Sequence, residues 1–157
     1  EPANAVVAEQ RAIRLQDLAL AHALEGELEE SVELFAQSED AYRHLSGLAP
    51  AHPLEAFRLV GRTNHAAALA NLSRFEEARH VGELALEDLE IALEDAPEDG
   101  EVQNSAATLW RVLRGIAQAT QDTALEDRAV AEAASLARAA FERFPERDLF
   151  RIEMVES

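Results

Sequence analysis

Glu77 and His80 are the residues whose spacing comes closest to a site of chemistry, because they stand three positions apart. A glutamate-x-x-histidine motif provides metal ligands in di-iron helical bundles, where two such motifs combine with two further inward-facing glutamates. This sequence contains a single motif of that kind. We therefore predict that Glu77 and His80 form a surface pair on one helix and not half of a metal centre.

The other histidines are scattered, and none belongs to the histidine-glutamate-x-x-histidine motif of zinc enzymes. His65 aligns with Leu18 and Leu113 at intervals of 47 and 48 residues, so we expect it to face the interior of its helix pair. Four glutamates recur at spacings of three and four and share one predicted helix face. We predict that this face is solvated, with contact to a basic partner as the alternative. The four are Glu83, Glu87, Glu90 and Glu94.

Several classes of reactive site are excluded by composition. The sequence has no cysteine and no lysine, which removes thiolate nucleophiles, cysteine-ligated metals, side-chain Schiff bases and phosphate-loop lysines. It also has no glycine-rich phosphate loop and no nucleophile elbow. We predict no catalytic residue, no metal site and no cofactor, and thus a protein that is not an enzyme. A helical enzyme or metal-binding protein is the least favoured alternative.

The charge balance narrows the class of partner. The 157 residues carry 31 acidic against 14 basic side chains, a formal net charge of −17. Such a surface repels phosphate groups, so we expect no nucleic-acid partner and no membrane partner. The charge would steer a basic protein toward the chain, or it serves solubility alone. No apolar run approaches the ~20 residues of a membrane span, and we expect a cytoplasmic location. Because the chain begins at Glu1, we expect a processed product or a piece of a longer protein.

An internal repeat organises the chain. Pro50, Pro97 and Pro145 each follow an apolar residue at intervals of 47 and 48 residues, a period found in helical arrays. A proline stops a helix, so each interval reads as helix, turn, helix and stop. We predict one domain over residues 1–157, with units at 3–50, 51–97 and 98–145 and a tail at 146–157. The residues predicted to form the turn inside each unit are Gly26, Ser73 and Gln121.

Apolar residues recur at helical spacing in every unit, and no alternating strand pattern of useful length is present. The predicted helices span 3–24, 28–45, 53–72, 75–95, 101–120 and 125–144, with a short seventh helix in the tail. Gly47 and Gly100 are predicted in the loops between units. Capping boxes are predicted at the starts of the fourth and sixth helices, formed by Ser73 with Glu76 and by Thr123 with Glu126.

The pattern of helix pairs resembles the tetratricopeptide repeat family over nearly the whole chain. The stretch from Ala68 to Arg79 is similar to the turn of that family, where a small residue, an aromatic, a glutamate pair and an alanine join two helices. Gly26–Ser31 is a looser copy, and Trp110 with Leu113 is similar to the opening of the family's first helix. The units here exceed the family's usual length of about 34 residues, and in this they resemble the long units of large bacterial regulatory proteins.

The resemblance implies an all-α fold in which antiparallel helix pairs stack as a right-handed α-solenoid of three pairs, with six or seven helices. It also implies that the first helix of each pair lines a concave groove. Carried over by alignment, Asp17, Leu24 and Val112 face that groove. The residues assigned to partner binding in the groove are Gln16, Leu20, Thr63, Asn64, Ala67, Asn71, Arg111, Gly115 and Gln118.

The predicted function is therefore a protein–protein interaction module that binds a peptide or a partner protein, as part of a bacterial regulator or scaffold. Amides in the groove could hold an extended peptide backbone, and Arg111 could pair with a carboxylate. The single tryptophan, Trp110, is expected to be buried by packing. The alternative is self-association as a homodimer through an apolar tail. That tail surface would consist of Phe150, Ile152 and Val155.

Overall fold

The computed structural model describes residues 2–49 and 54–143, and every regular element in those two ranges is an α-helix. The all-α prediction is confirmed for this part of the chain. Most helix ends lie within two or three residues of the predicted ones. The tail, Pro50, Pro53 and Pro145 lie outside the described residues. The helices are α1 (Pro2–Glu25), α2 (Leu28–Leu48), α3 (Glu55–Asn71), α4 (Phe75–Asp95), α5 (Gly100–Thr120) and α6 (Thr123–Arg143).

A residue with positive φ separates the two helices of each pair. Gly26, Ser73 and Gln121 have φ values of 87°, 59° and 58°, in the left-handed region that ends a helix and turns the chain back. Only glycine adopts this conformation without steric cost, so Ser73 and Gln121 hold it at the expense of local strain. The three predicted turn positions are confirmed.

The residues predicted to cap the starts of α4 and α6 are wrong. Ser73 belongs to the turn, and Arg74 precedes α4 without any side-chain cap. Thr123 is the first residue of α6, and the carboxylate of Asp122 accepts a hydrogen bond from the Leu125 amide at 3.0 Å. An aspartate fills this role because its short carboxylate reaches the free amides of the first turn. Asp99 does the same for α5, accepting from the Glu101 amide at 2.7 Å.

Two glycines predicted in loops lie in helices. Gly47 is in the last turn of α2, and Gly100 is the first residue of α5. Neither has a positive φ. Composition alone misled here, because a glycine near a helix end is tolerated in helical backbone as well as in a loop.

The helices form three antiparallel pairs stacked in sequence order, α1 with α2, α3 with α4, and α5 with α6. We call α1, α3 and α5 the first helices and the others the second helices. Neighbouring first helices contact each other, and α3 and α5 each also pack against the second helix of the preceding pair. Within the described ranges, no Cα atoms of α2 and α4, or of α4 and α6, come within 8 Å. The first helices therefore form one adjoining layer, and the stack is open between its second helices.

The apolar interior consists of two clusters. The larger one joins the second and third pairs and includes Leu59, Leu109, Leu113 and Trp110. The smaller one lies between α1 and α2 and reaches the next pair through Leu54. A continuous core was expected, but a buried group of charged residues occupies part of the junction between the first and second pairs. Trp110 is buried as predicted, with the Arg128 guanidinium 5.2 Å above its ring.

Candidate binding surface

The first helices share a surface that the repeat register defines. Starting from α3, residues at spacings of three and four form one stripe, and the same positions recur in α1 and α5 at intervals of 47 and 48 residues. Every member is exposed or half-buried. We call this set the first-helix face. Its members are Gln10, Ile13, Asp17, Leu20 and Leu24 in α1, Phe57, Val60, Asn64, Ala67 and Asn71 in α3, and Ser105, Thr108, Val112, Gly115 and Ala119 in α5.

The first-helix face is nearly uncharged. Asp17 is its single ionisable residue, although 29% of the whole chain is charged. Apolar and small residues dominate it, and Leu20, Leu24, Phe57 and Val60 are among the large apolar side chains that remain exposed. Exposed apolar side chains that lie together on one surface indicate an interaction site. The face therefore suits an apolar partner better than a basic one.

Five of the nine residues predicted to bind a partner lie on this face, and the structure brings them onto one layer of adjoining helices. Asn64 and Ala67 are half-buried, and the others are exposed. The amides of Asn64 and Asn71 each offer two donors and an acceptor beside apolar neighbours. These five are Leu20, Asn64, Ala67, Asn71 and Gly115.

Gln16, Thr63 and Arg111 occupy one repeat position that lies beside the face. Gln16 donates a hydrogen bond from Nε2 to the Phe57 carbonyl oxygen at 3.0 Å, so it joins α1 to α3. Thr63 is only 2% exposed and offers almost no surface to a partner. Arg111 is exposed, and α5 is the last first helix among the described residues. In α1 this position therefore contacts the next first helix.

Gln118 points toward its own helix pair. Its Nε2 donates to the Glu126 carboxylate of α6 at 2.8 Å. The amide thus links the two helices of the third pair beside their turn. Sequence alignment placed Gln118 in the groove, but the position that matches Asn71 is Ala119, so Gln118 lies at the edge of the face.

A buried ion network lies beneath the face, and the sequence did not reveal it. The Arg62 guanidinium donates to the Glu39 carboxylate at 2.6 and 3.2 Å, to the Asp88 carboxylate at 2.8 Å and to the Leu84 carbonyl oxygen at 3.0 Å. Arg58 also donates to Glu39, at 3.2 Å. The network joins α2, α3 and α4. Its one sequence signal is the position of Arg62, which aligns with Leu15 and Trp110 on an otherwise apolar face.

The pKa values of the two carboxylates in the network are shifted in opposite directions from their ordinary values. Burial raises the pKa of Asp88 to about 6, although Arg62 and Arg58 act to lower it. Burial also tends to raise the pKa of Glu39, but hydrogen bonds and charge from Arg62 and Arg58 outweigh burial and hold that pKa below its ordinary value. The difference follows from the geometry, because Glu39 accepts bonds from two guanidinium groups whereas Asp88 accepts one and lies deeper.

His65 stacks on Phe35 of the preceding pair, with ring centroids 5.7 Å apart and ring planes at 22°. It was expected inside its own helix pair, but the structure places it at the junction with α2. Burial lowers its pKa to about 4, with Arg74 acting in the same direction and Glu39 and Glu77 opposing it. The ring is therefore neutral at pH 7 and serves packing.

This shift predicts a pH dependence of stability. The folded pKa of His65 lies below the ordinary value of 6.5, so its contribution is fully present above pH 6.5 and is lost as the pH falls toward 4. Replacing His65 with phenylalanine should remove about 2 kcal/mol of acid-induced destabilisation at pH 4.5. Urea unfolding at pH 7.5 and 4.5 measures this difference. His44→Phe provides the matched control, since it makes the same substitution at an exposed histidine.

The remaining residues considered for chemistry are on the surface. Glu77 pairs with Arg74, with nitrogen to oxygen distances of 2.6 and 2.7 Å, and His80 is exposed. The four glutamates of α4 are exposed, as predicted. Within the described ranges, the one cluster with metal-ligand spacing is His22, Glu25 and Glu27, where His22 already pairs with Glu27.

Comparison with known proteins gives no relative. No protein-family model, curated protein or solved structure matches this chain. Among the described helices, none combines the length and apolar character that a membrane crossing requires. The geometry of the surface therefore carries the functional argument.

Proposed function

We propose that this chain is a protein-interaction module of the tetratricopeptide repeat type, and that the first-helix face binds an apolar or amphipathic segment of a partner protein. The observation that carries the proposal is the near absence of charge on this face in a chain of net charge −17. Burying an unpaired charge is costly, whereas burying apolar surface stabilises a complex by about 25 cal/mol per Å². A face that is kept uncharged is therefore suited to being covered.

The polar residues of the first-helix face provide hydrogen-bonding groups for a partner. Asn64 and Asn71 lie on the same stripe of α3 as the exposed Val60, toward the helix end. Their amides can bond to a partner's backbone while Val60, Phe57 and Leu20 receive its apolar side chains. Gly115 has open space where a side chain would project, so a partner backbone could approach closely. A role in a bacterial regulator or scaffold belongs to the same proposal.

The buried network supports the face mechanically. Arg62 and Arg58 lie on α3 and bind α2 and α4 through Glu39 and Asp88. Such a network holds the central first helix at a fixed position relative to the pairs on either side. A rigid surface loses less conformational entropy on binding, which favours affinity.

A charge placed on the face tests the proposal. Val60 in α3 and Ile91 in α4 are 42% and 44% exposed. Val60→Glu and Ile91→Glu therefore place the same charged side chain on the layer of first helices and on the layer of second helices. Affinity capture with quantitative mass spectrometry should recover the same partner with the wild-type protein and with Ile91→Glu. Recovery with Val60→Glu should fall about tenfold or more, because the glutamate is desolvated beneath an apolar segment. Equal recovery with both variants would refute the assignment of the face.

A further inference from the structure

A second surface is defined by comparing the same positions in the three first helices. Four positions at the start of the second pair face the first pair. They are Leu54, which precedes α3, and Arg58, Gly61 and His65 of α3, and the matching positions of α5 are Val102, Ala106, Leu109 and Leu113. In α3 and α5 these positions are buried or half-buried beneath the preceding pair. In α1 they are exposed. We call the α1 set the leading face, and its members are Val7, Arg11, Arg14 and Leu18.

Equivalent positions pack against each other at both junctions between pairs, which supports the repeat register of 47 and 48 residues. At the first junction, His65 of α3 stacks on Phe35 of α2. At the second, Leu113 of α5 lies against Gly82 of α4, where an added Cβ would be 2.7 Å from a Leu113 methyl carbon. Phe35 and Gly82 are 47 residues apart, as equivalent positions should be. Leu18 is the matching position in α1 and is 48% exposed.

A groove beside the leading face is open, whereas the equivalent groove of the second pair is filled. It has a volume of about 500 Å³ and is lined by Val7, Ala8 and Arg11 of α1 and by residues of α2 that include Asp40 and Ala41. The positions in the second pair that match Arg11 and Ala41 are Arg58 and Asp88. There, the carboxylate of Glu39 from α2 lies between Arg58 and Arg62.

We propose that the leading face binds an acidic amphipathic α-helix of a partner protein, in the position that α2 takes on α3. The apolar side of that helix would cover Val7 and Leu18, and a carboxylate would pair with Arg11 as Glu39 pairs with Arg58. Neither Arg11 nor Arg14 forms an ion pair with a described residue, whereas Asp40 in the groove is already paired with Arg43 at 2.7 Å. The charged side chains of the leading face that remain available to a partner are thus cationic.

A second copy of the chain fits this face less well. If two α1 helices packed antiparallel about a two-fold axis, Arg11 of one copy would face Arg14 of the other, and like charges repel. In a head-to-tail stack, α6 would take the position of α2. Its residue that matches Glu39 is Ala134, which offers no carboxylate to Arg11.

The chain's own α2 sequence provides the test probe. A fluorescently labelled peptide of residues 28–48 carries the apolar stripe and Glu39, and binding is followed by anisotropy at 0.15 M salt. At this ionic strength, repulsion from carboxylates more than about 8 Å away is screened. We expect saturable binding to the wild-type protein and to the control Arg138→Glu. Binding to Arg11→Glu should be weaker by about tenfold or more.

Charge reversal completes the experiment. A peptide with Glu39→Arg should bind Arg11→Glu better than it binds the wild-type protein, because the pair is restored with opposite signs. Three results would overturn the proposal. These are no saturable binding at millimolar peptide, binding that is indifferent to Arg11→Glu, and sedimentation showing that the wild-type chain alone is a dimer and that Arg11→Glu makes it a monomer. The last result would assign the leading face to a second copy.

Discussion

Replacing Arg62 with leucine should destabilise the folded chain by about 3–5 kcal/mol, because it leaves the buried Asp88 without its hydrogen-bonded guanidinium and leaves Glu39 with Arg58 alone. The side chains of Arg62 and Asp88 are 8% and 4% exposed, so water cannot replace the lost hydrogen bonds. Equilibrium unfolding in urea at pH 7.5 measures the change. We expect the loss to shrink as the pH is lowered through about 6, since a protonated Asp88 costs less to bury.

Arg79, whose side chain is 41% exposed, is the control for this prediction. It pairs with Glu83 at 3.2 Å and with Asp122 at 2.8 Å, but it lies on the surface, where ion pairs contribute little. Arg79→Leu should therefore have a much smaller effect than Arg62→Leu. Equal effects of the two substitutions would show that the network is solvated in the folded protein and does not fix α3 between its neighbours.

Leu113 should be the second most sensitive position. Its side chain is fully buried against Gly82 and the core of the second and third pairs, so Leu113→Ala should cost about 2–4 kcal/mol in lost burial and an added cavity. Leu18 occupies the same repeat position in α1 and is 48% exposed. Leu18→Ala should change the free energy of unfolding by less than about 1 kcal/mol.

This matched pair tests the register itself, because the two substitutions are chemically identical and differ only in the unit that carries them. Thermal or urea unfolding of both variants gives the comparison. A large effect at Leu18 would mean that α1 is covered by another element, and a small effect at Leu113 would mean that α5 does not pack on α4 as described.

The sequence predicted the helices and their turns well, because both depend on local features. Helical spacing of alanine and leucine predicted the six ranges, and the repeat interval predicted the turn positions Gly26, Ser73 and Gln121, all of which have positive φ. The capping residues were mispredicted since Asp122 and Thr123 are neighbours with similar preferences for a helix start. Choosing between them requires knowing which residue begins the helix.

The site was harder to predict because it depends on which helices meet. Gln16 and Thr63 were assigned to the groove by alignment, but Gln16 hydrogen-bonds to the next first helix and Thr63 is buried. The network around Arg62 joins residues 23 and 26 positions apart, and no local pattern connects Glu39 or Asp88 to that arginine. The first-helix face itself became visible only after the register of the three helices was fixed.

The most direct test of an open stack is the distance between its outer first helices. The chain has no cysteine, so spin labels can be placed in pairs at Leu20, Ala67 and Gly115, which share one repeat position. Adjoining helices lie about 8–10 Å apart, so the pairs 20/67 and 67/115 should show strong dipolar broadening. The pair 20/115 should give a distance of about 15–20 Å by pulsed electron paramagnetic resonance. A 20/115 distance as short as those of the adjoining pairs would indicate a closed bundle, in which no continuous first-helix face is available to a partner.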